Sequence, residues 1–271
     1  MRGVSRESLT ASLARLETRL GSARANPMRM GDDLFAVTGV LAGSAGLRRA
    51  FSAPSSSPES KAGVVRALFG GKISAPARDL LAEVVAQRWA GGADLVDAVE
   101  HLAVTAFLVA AQKADRLDAL EEDLFRFERA VAASTELRDA FSLRTSGAER
   151  KERLVRDLLE SKVGPETLRL AIQAAVAPRG LRTGVALESY IRAAAARRAQ
   201  AVARVTSARP LTEDQRERLL TGLRRVYGSA IQLEPDVDPR VLGGLRVQVG
   251  DDVLDGTVSR RLLDVRRRLS E

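Results

Sequence analysis

At 271 residues, of which 45% are apolar, 29% charged and 4% aromatic, the chain has room for two domains, or a pair plus a small third, and is too apolar for wholesale disorder. It has no cysteine and one histidine, His101, which excludes disulfide scaffolds, thiolate and multi-histidine metal sites and cysteine nucleophiles, and fits a reducing compartment. The net charge of +8 points toward polyanions, but only five of the 43 basic residues are lysine, so Arg and Ala abound together as in a GC-rich coding sequence. The charge is also spread, at +6 for residues 1–92, −2 for 93–183 and +4 for 184–271, which does not favour polyanion binding.

The N-terminus, Met1-Arg2-Gly3-Val4-Ser5-Arg6-Glu7, has no apolar core after its basic residue, so no secretion signal is expected. The stretch Asp33-Leu34-Phe35 returns as Asp123-Leu124-Phe125, and Leu47-Arg48-x-Ala50-Phe51-Ser52 returns as Leu137-Arg138-x-Ala140-Phe141-Ser142. Lys61, Val65, Arg66, Leu68 and Lys72 likewise meet Lys151, Val155, Arg156, Leu158 and Lys162. Residues 33–73 and 123–163 share 17 identities in 41 ungapped positions at a shift of 90, a register that shared composition does not produce. Two tandem copies of a helical bundle are expected, 1–93 and 94–201. The Ser57-Pro58 pair caps a helix and opens it with proline. Gly70-Gly71 and Gly164-Pro165 punctuate the copies at nearly equivalent places. The segment Asp94 to about Ala114 closes the first bundle and opens the second, and Gly184 to Arg204 is its counterpart. Its apolar run, Ala103–Ala111, contains Thr105 and ends at Gln112-Lys113, far from the roughly 20 apolar residues of a membrane span. Leu117, Leu120, Leu124, Phe127 and Val131 form a helical stripe, and Ser146-Gly147-Ala148-Glu149 has the form of a capping box before Leu154, Val155, Leu158 and Leu159.

From Val202 the pattern changes to a small α+β module, 202–271, so the fold class is mainly α with that module appended. Val202–Ser207 reads as a strand, and Thr212-Glu213-Asp214-Gln215 is a second capping box before Leu219, Leu220, Leu223, Val226 and Tyr227. Ile231, Leu233 and Val237 alternate, with Pro235 marking an edge strand or its end. Leu245, Val247 and Val249 alternate before the turn Gly250-Asp251-Asp252 into Val253-Leu254. The expectation is that Val247, Val249 and Val253 bury their side chains. Val258, Leu262, Val265 and Leu269 form a last helical stripe.

Candidate chemistry is thin. Gly70-Gly71-Lys72 fails as a phosphate loop because Arg66 and Ile73 stand where glycine and Ser/Thr are needed. Asp251, Asp252 and Asp255 match no calcium loop and suit turn geometry instead. His101 has no serine, cysteine or second histidine near it in sequence, and its counterpart 90 residues on is Ile191. Arg266-Arg267-Arg268 reads as cations at a helix C-terminus, and Trp89 as a packing residue on the last part of a helix. No constellation supports an active site, and no metal or cofactor is expected.

The C-terminal stretch carries a resemblance. Val205-Thr206-Ser207-Ala208-x-Pro210-Leu211, followed by Val237-Asp238-Pro239-x-Val241-Leu242-Gly243-Gly244-Leu245-x-Val247-x-Val249-Gly250-Asp251-x-Val253-Leu254-Asp255-Gly256-Thr257-Val258, resembles the signature of the ATP synthase delta family, whose mitochondrial members confer oligomycin sensitivity. Ala106-Phe107-Leu108 through Leu117-Asp118-x-Leu120-Glu121-Glu122-x-Leu124 resembles the opening helices of that family's N-terminal bundle, so the likeness covers about 94–271. Residues 1–93 depart from the usual form and resemble the longer members of high-GC bacteria. The resemblance implies a non-catalytic stator subunit that links the catalytic head to the peripheral stalk, at the cytoplasmic face of the membrane. It also implies two partners, the N-terminal helices of alpha subunits and the C-terminal helix of the stalk b subunit. The alpha-subunit groove is expected at Ala106, Phe107, Ala110, Leu168, Ala171, Ile172 and Ala175. Asp238, Pro239, Gly243, Gly244, Gly250, Asp251, Asp255 and Gly256 are expected to build the fold rather than react. The alternative is a basic helical nucleic-acid-binding protein, which needs a clustered Lys/Arg face and stacking aromatics. Two Tyr and one Trp, all isolated, speak against it.

Overall fold

The structure, a computed structural model, describes residues 3–22, 24–142, 147–180, 182–200, 202–227, 231–241, 243–249 and 252–256; the side chains of 200 and 224–227 are not described. Two compact units divide the chain, Met1–Ala193 and Ala194–Glu271. The first is helical. It begins with α1 (Gly3–Leu20), α2 (Pro27–Gly43), α3 (Ala45–Ser52), α4 (Pro58–Phe69) and α5 (Ala75–Ala86). It continues through α6 (Gly92–Lys113), α7 (Leu117–Ala133), α8 (Thr135–Ser142), α9 (Ala148–Leu159), α10 (Pro165–Val176) and α11 (Thr183–Gln200), whose last turns cross the unit boundary. The helices α7 to α10 begin and end 90 residues after α2 to α5, so helix bounds follow the period of the sequence.

Local signals set most of these bounds. Asn26 caps α2 by accepting from Arg29 N–H at 3.0 Å, and Ser57 caps α4 by accepting from Ser60 N–H at 3.2 Å. Gly70 ends α4, and Gly71 follows with φ +72°. Gly164 and Pro165 instead open α10, at the other end of the matching connection. Helix α9 starts behind Gly147, and the expected box there rests on Ser146, which lies outside the described residues. One expectation needs correction. Trp89 is not on a helix: it lies buried in the connection between α5 and α6, where its indole N–H donates to the Val84 carbonyl at 2.9 Å.

The core of this unit is built around α6, which packs against α1, α2, α3 and α5 on one side and α7 and α10 on the other. Every residue from Leu102 to Ala111 is buried, because the helix is covered on opposite sides. By contrast α7 buries one stripe, Leu117, Leu120, Leu124, Phe127 and Val131, as a surface helix should. The α1 face turned inward is polar over its first half, where Ser5, Ser8 and Ser12 are buried, and apolar over its second, with Leu16 and Leu20. The serine hydroxyls are satisfied, Ser5 Oγ accepting from Ala90 N–H at 3.0 Å and Ser8 Oγ donating to the Arg88 carbonyl at 2.7 Å, both in the α5–α6 connection, and Ser12 Oγ donating to the Ser8 carbonyl at 2.7 Å.

The second unit holds β1 (Val202–Ser207), α12 (Glu213–Tyr227), β2 (Gln232–Val237), β3 (Leu245–Val249) and β4 (Asp252–Asp255). Its sheet has the order β2-β1-β3-β4, with β1 parallel to β2 and antiparallel to β3. The capping box forms at α12: Thr212 N–H donates to Gln215 Oε1 at 3.0 Å, and Gln215 N–H donates to Thr212 Oγ1 at 3.4 Å. Ala203, Val205, Val247 and Val249 share one sheet face and form the core with Leu223 and Ile231. Pro235 lies in the edge strand β2, where its missing N–H breaks no ladder. Val253 corrects a second expectation. It pairs with Gln248, on the face opposite Val247, and is 45% exposed on the outermost strand. The expected last helix, with Arg266–Arg268, lies outside the described residues.

Candidate functional site

All seven residues expected to form a helix-binding groove are buried by the chain's own packing. Ala106, Phe107 and Ala110 lie on α6, and Leu168, Ala171, Ile172 and Ala175 on α10, the two helices being in contact. The Phe107 ring stacks on Phe35 of α2 at 5.4 Å between centroids, tilted by 22°. That approach depends on Gly31, where an added Cβ would sit 2.5 Å from the Phe107 ring. Arg169 of α10 reaches Asp32 of α2, with Nε donating to Oδ1 at 2.8 Å. Arg169 and Gln173, neighbours of the expected groove residues on α10, are half-buried.

Charged clusters fix the second half of this unit. Arg179, in the connection before α11 with φ +49°, donates to Asp97 Oδ1 at 2.7 Å and to Glu100 Oε2 at 2.6 Å through Nε. The Tyr190 hydroxyl of α11 donates to the other Glu100 oxygen at 2.8 Å. Burial, and after it the Glu100 charge and hydrogen bond, push the Tyr190 phenol far above its usual range. Burial pulls the Arg179 guanidinium down, but Glu100 and Asp97 outweigh it and hold it above its ordinary value. Burial lowers the neighbouring His101 imidazole, which the Glu100 charge offsets only in part. At the start of α10, Arg116 holds Glu166 by a fork, NH2 to Oε1 at 2.6 Å and Nε to Oε2 at 3.3 Å, with Glu166 only 3% exposed. These residues were not singled out in the sequence. Asp97 and Glu100 are three apart on one helix, but nothing in the spacing points to a guanidinium some 80 residues away.

The C-terminal motif residues make turns. Asp238 N–H donates to the Ser207 carbonyl at 2.9 Å, and its carboxylate accepts from Arg240 N–H at 3.0 Å and Nε at 2.9 Å. The Arg240 side chain, then its backbone N–H, hold the Asp238 carboxyl below its usual range. Pro239 lies in the turn that follows. Gly243 and Gly244 take φ of +66° and +83°, which only glycine adopts at little cost, and so bring the chain into β3. Gly256 N–H donates to the Leu245 carbonyl at 2.9 Å, closing the sheet beside Asp255 at the end of β4. Gly250 and Asp251 lie outside the described residues. Among the described residues no group of His, Asp and Glu is placed to hold a metal ion, and no helix is long and apolar enough to cross a membrane.

The family model described as ATP synthase delta (OSCP) subunit matches residues 103–269. A curated relative from Kineococcus radiotolerans, an ATP synthase subunit delta, is 47% identical over 268 residues, covering 99% of this chain and 97% of its own length. Another, from Streptomyces coelicolor, is 44% identical over 270 residues, covering 100% and 98%. Both extend through the first 93 residues, so the added helices are shared with relatives of the same length. A chain of the Toxoplasma gondii mitochondrial ATP synthase hexamer aligns over 62% of this chain and 95% of its own at 22% identity, with a TM-score of 0.32, too loose a superposition to add to the sequence match.

Proposed function

The chain belongs to the ATP synthase delta (OSCP) family, and from that premise we propose that it is a non-catalytic stator subunit, joining the catalytic head to the peripheral stalk so that the head does not turn with the rotor. The full-length match to subunits of that name carries this reading. The division into a helical unit and a small α+β unit supports two separate attachments. The helical unit takes the N-terminal helix of an alpha subunit on the α6–α10 side. Buried Ala106, Phe107, Ala110, Leu168, Ala171, Ile172 and Ala175 set the shape of that face, and half-buried neighbours such as Gln173 touch the partner. The α+β unit takes the C-terminal helix of the b subunit. Val237, Val253 and Leu254, each about half exposed, give it apolar surface beyond its own core. The protein sits peripherally at the cytoplasmic face of the membrane, held there by the complex.

The test uses the full chain in a reconstituted complex, with a photo-crosslinking residue at position 173 in one variant and 237 in the other. The alpha subunit is expected at 173 and the b subunit at 237. Capture of b at 173 and alpha at 237 would reverse the division of labour, and capture of neither would remove the stator reading.

A further inference from the structure

A cleft opens in the first helical copy where the end of α1 meets the starts of α2 and α5, and three guanidinium groups, of Arg19, Arg24 and Arg29, line it. Arg19 is paired with Glu83 at 2.5 Å and Arg29 with Asp33 at 3.1 Å, each with donors to spare, since a guanidinium carries five. Arg24 is exposed, and its guanidinium meets no acidic partner among the described residues. The one carboxylate on the cleft wall, Asp79, is already held by Arg78 at 2.8 Å. Two helices begin here with no acidic residue in their first turns; at α5 the Ser74 hydroxyl makes no cap bond, and Asp33 of α2 accepts from the Ser74 N–H at 2.9 Å. Partial positive charge at those helix starts therefore adds to that of the arginines.

The second copy shows what such a corner holds. Ninety residues on, the counterpart of Asn26 is Arg116 and that of Pro76 is Glu166. There the chain supplies its own carboxylate, buried in the first turn of α10 and forked by Arg116. In the first copy the helix start is kept and the cations are gathered from α1, the α1–α2 connection and α2, but proline stands where the carboxylate would be. We propose that this cleft binds a carboxylate side chain from an acidic segment of a neighbouring polypeptide, which takes the place that Glu166 holds in the second copy. The first copy is thereby an attachment point in its own right, independent of which partners the α6–α10 face and the α+β unit take. A guanidinium fork plus a helix start suits the planar carboxylate.

The probe is a capped tetraglutamate peptide, titrated at low ionic strength into the isotopically labelled full chain while the amide signals of Ala75 and Ala77 and the Arg24 side-chain signal are followed by NMR. Saturable shifts at these groups are expected. Arg24→Gln should weaken binding at least threefold. The double variant Asn26→Arg with Pro76→Glu, which rebuilds the second copy's ion pair in the first, should abolish binding while leaving the helical circular dichroism unchanged. No saturable shift, or undiminished binding by both folded variants, would overturn the proposal. Inorganic phosphate, titrated separately, is expected to bind more weakly. If it moves the same signals at equal or lower concentration, the cleft is a site for free anions and the assignment to a polypeptide carboxylate is wrong.

Discussion

His101 and Ile191 occupy the same place in the two copies, and the pair shows what one titratable group costs. Burial holds the His101 imidazole below its ordinary value, only partly countered by the Glu100 charge. The folded protein therefore keeps it neutral at a pH where the unfolded chain has begun to take up a proton. The unfolded state binds more protons in that window, so stability falls as the pH drops through the ordinary histidine value of about 6.5 toward the lowered one. His101→Ile should remove this part of the acid sensitivity, at a change of about 1 kcal/mol or less at pH 8. Urea midpoints at pH 8, 7, 6 and 5 check it: the variant's decline should be shallower than the parent's, and parallel declines would show that the imidazole is not protected. Asp33 and Asp123 show how identical residues at one register come to differ in their partners. Asp33 accepts from Ser74 N–H at 2.9 Å and pairs with Arg29, whereas Asp123 meets Arg126 at 3.6 Å. Burial raises the Asp123 carboxyl, Arg126 opposes it less, and the Glu122 charge adds to the rise. That contrast is invisible until the helices are packed.

Helix α6 departs from a simple amphipathic pattern, and the reason is its double duty. A helix covered on one side repeats its apolar residues every three or four positions; one covered on opposite sides loses that period. The run Ala103–Ala111 is therefore legible as a buried helix, while which residue faces which copy is not. The same limit explains why the α7 stripe and the Thr212 box are legible in the sequence and the Arg179 cluster is not. Stripes and boxes are local, but the cluster depends on a left-handed residue and carboxylates about 80 positions away. The α+β unit follows the same rule: alternation separates Val247 and Val249 from Gln248, yet burial of Val253 depends on strand order, which alternation does not reveal. The close approach of α2 to α6 gives a paired prediction. At Gly31 a new Cβ would meet the Phe107 ring, so Gly31→Ala should destabilise by about 1–2 kcal/mol, overpacking outweighing the better helix propensity. At Gly39, exposed on the same helix with nothing within 4 Å, alanine should stabilise by about 0.5–1 kcal/mol. Denaturant midpoints of the two variants should move in opposite directions. A common direction would mean that Phe107 yields its position without cost.

The whole molecule joins cores of unequal size. In the helical unit, α6 alone buries fourteen residues, whereas the buried cluster among the described residues of the α+β unit holds six: Ala203, Val205, Leu223, Ile231, Val247 and Val249. A module of about 70 residues buries a smaller fraction of its surface than a large one and is correspondingly marginal. Unfolding should therefore occur in two steps, the α+β unit first. The chain's one tryptophan separates them, since Trp89 lies buried in the helical unit. Its fluorescence should change only in the second step, whereas protection of the Val205 and Val247 amides from exchange should be lost in the first. Coincident transitions by both probes would show the two cores to be one cooperative structure. The proposed stalk contact sharpens the test. A peptide of the last helix of b that binds only the folded α+β unit should stabilise it by about 2.7 kcal/mol when present at 100 times its Kd. The first transition should then rise toward the second while the Trp89 transition stays in place. If the added helix moves the Trp89 transition and leaves the first one unchanged, the stalk helix binds among the α-helices, and the small unit serves some other attachment.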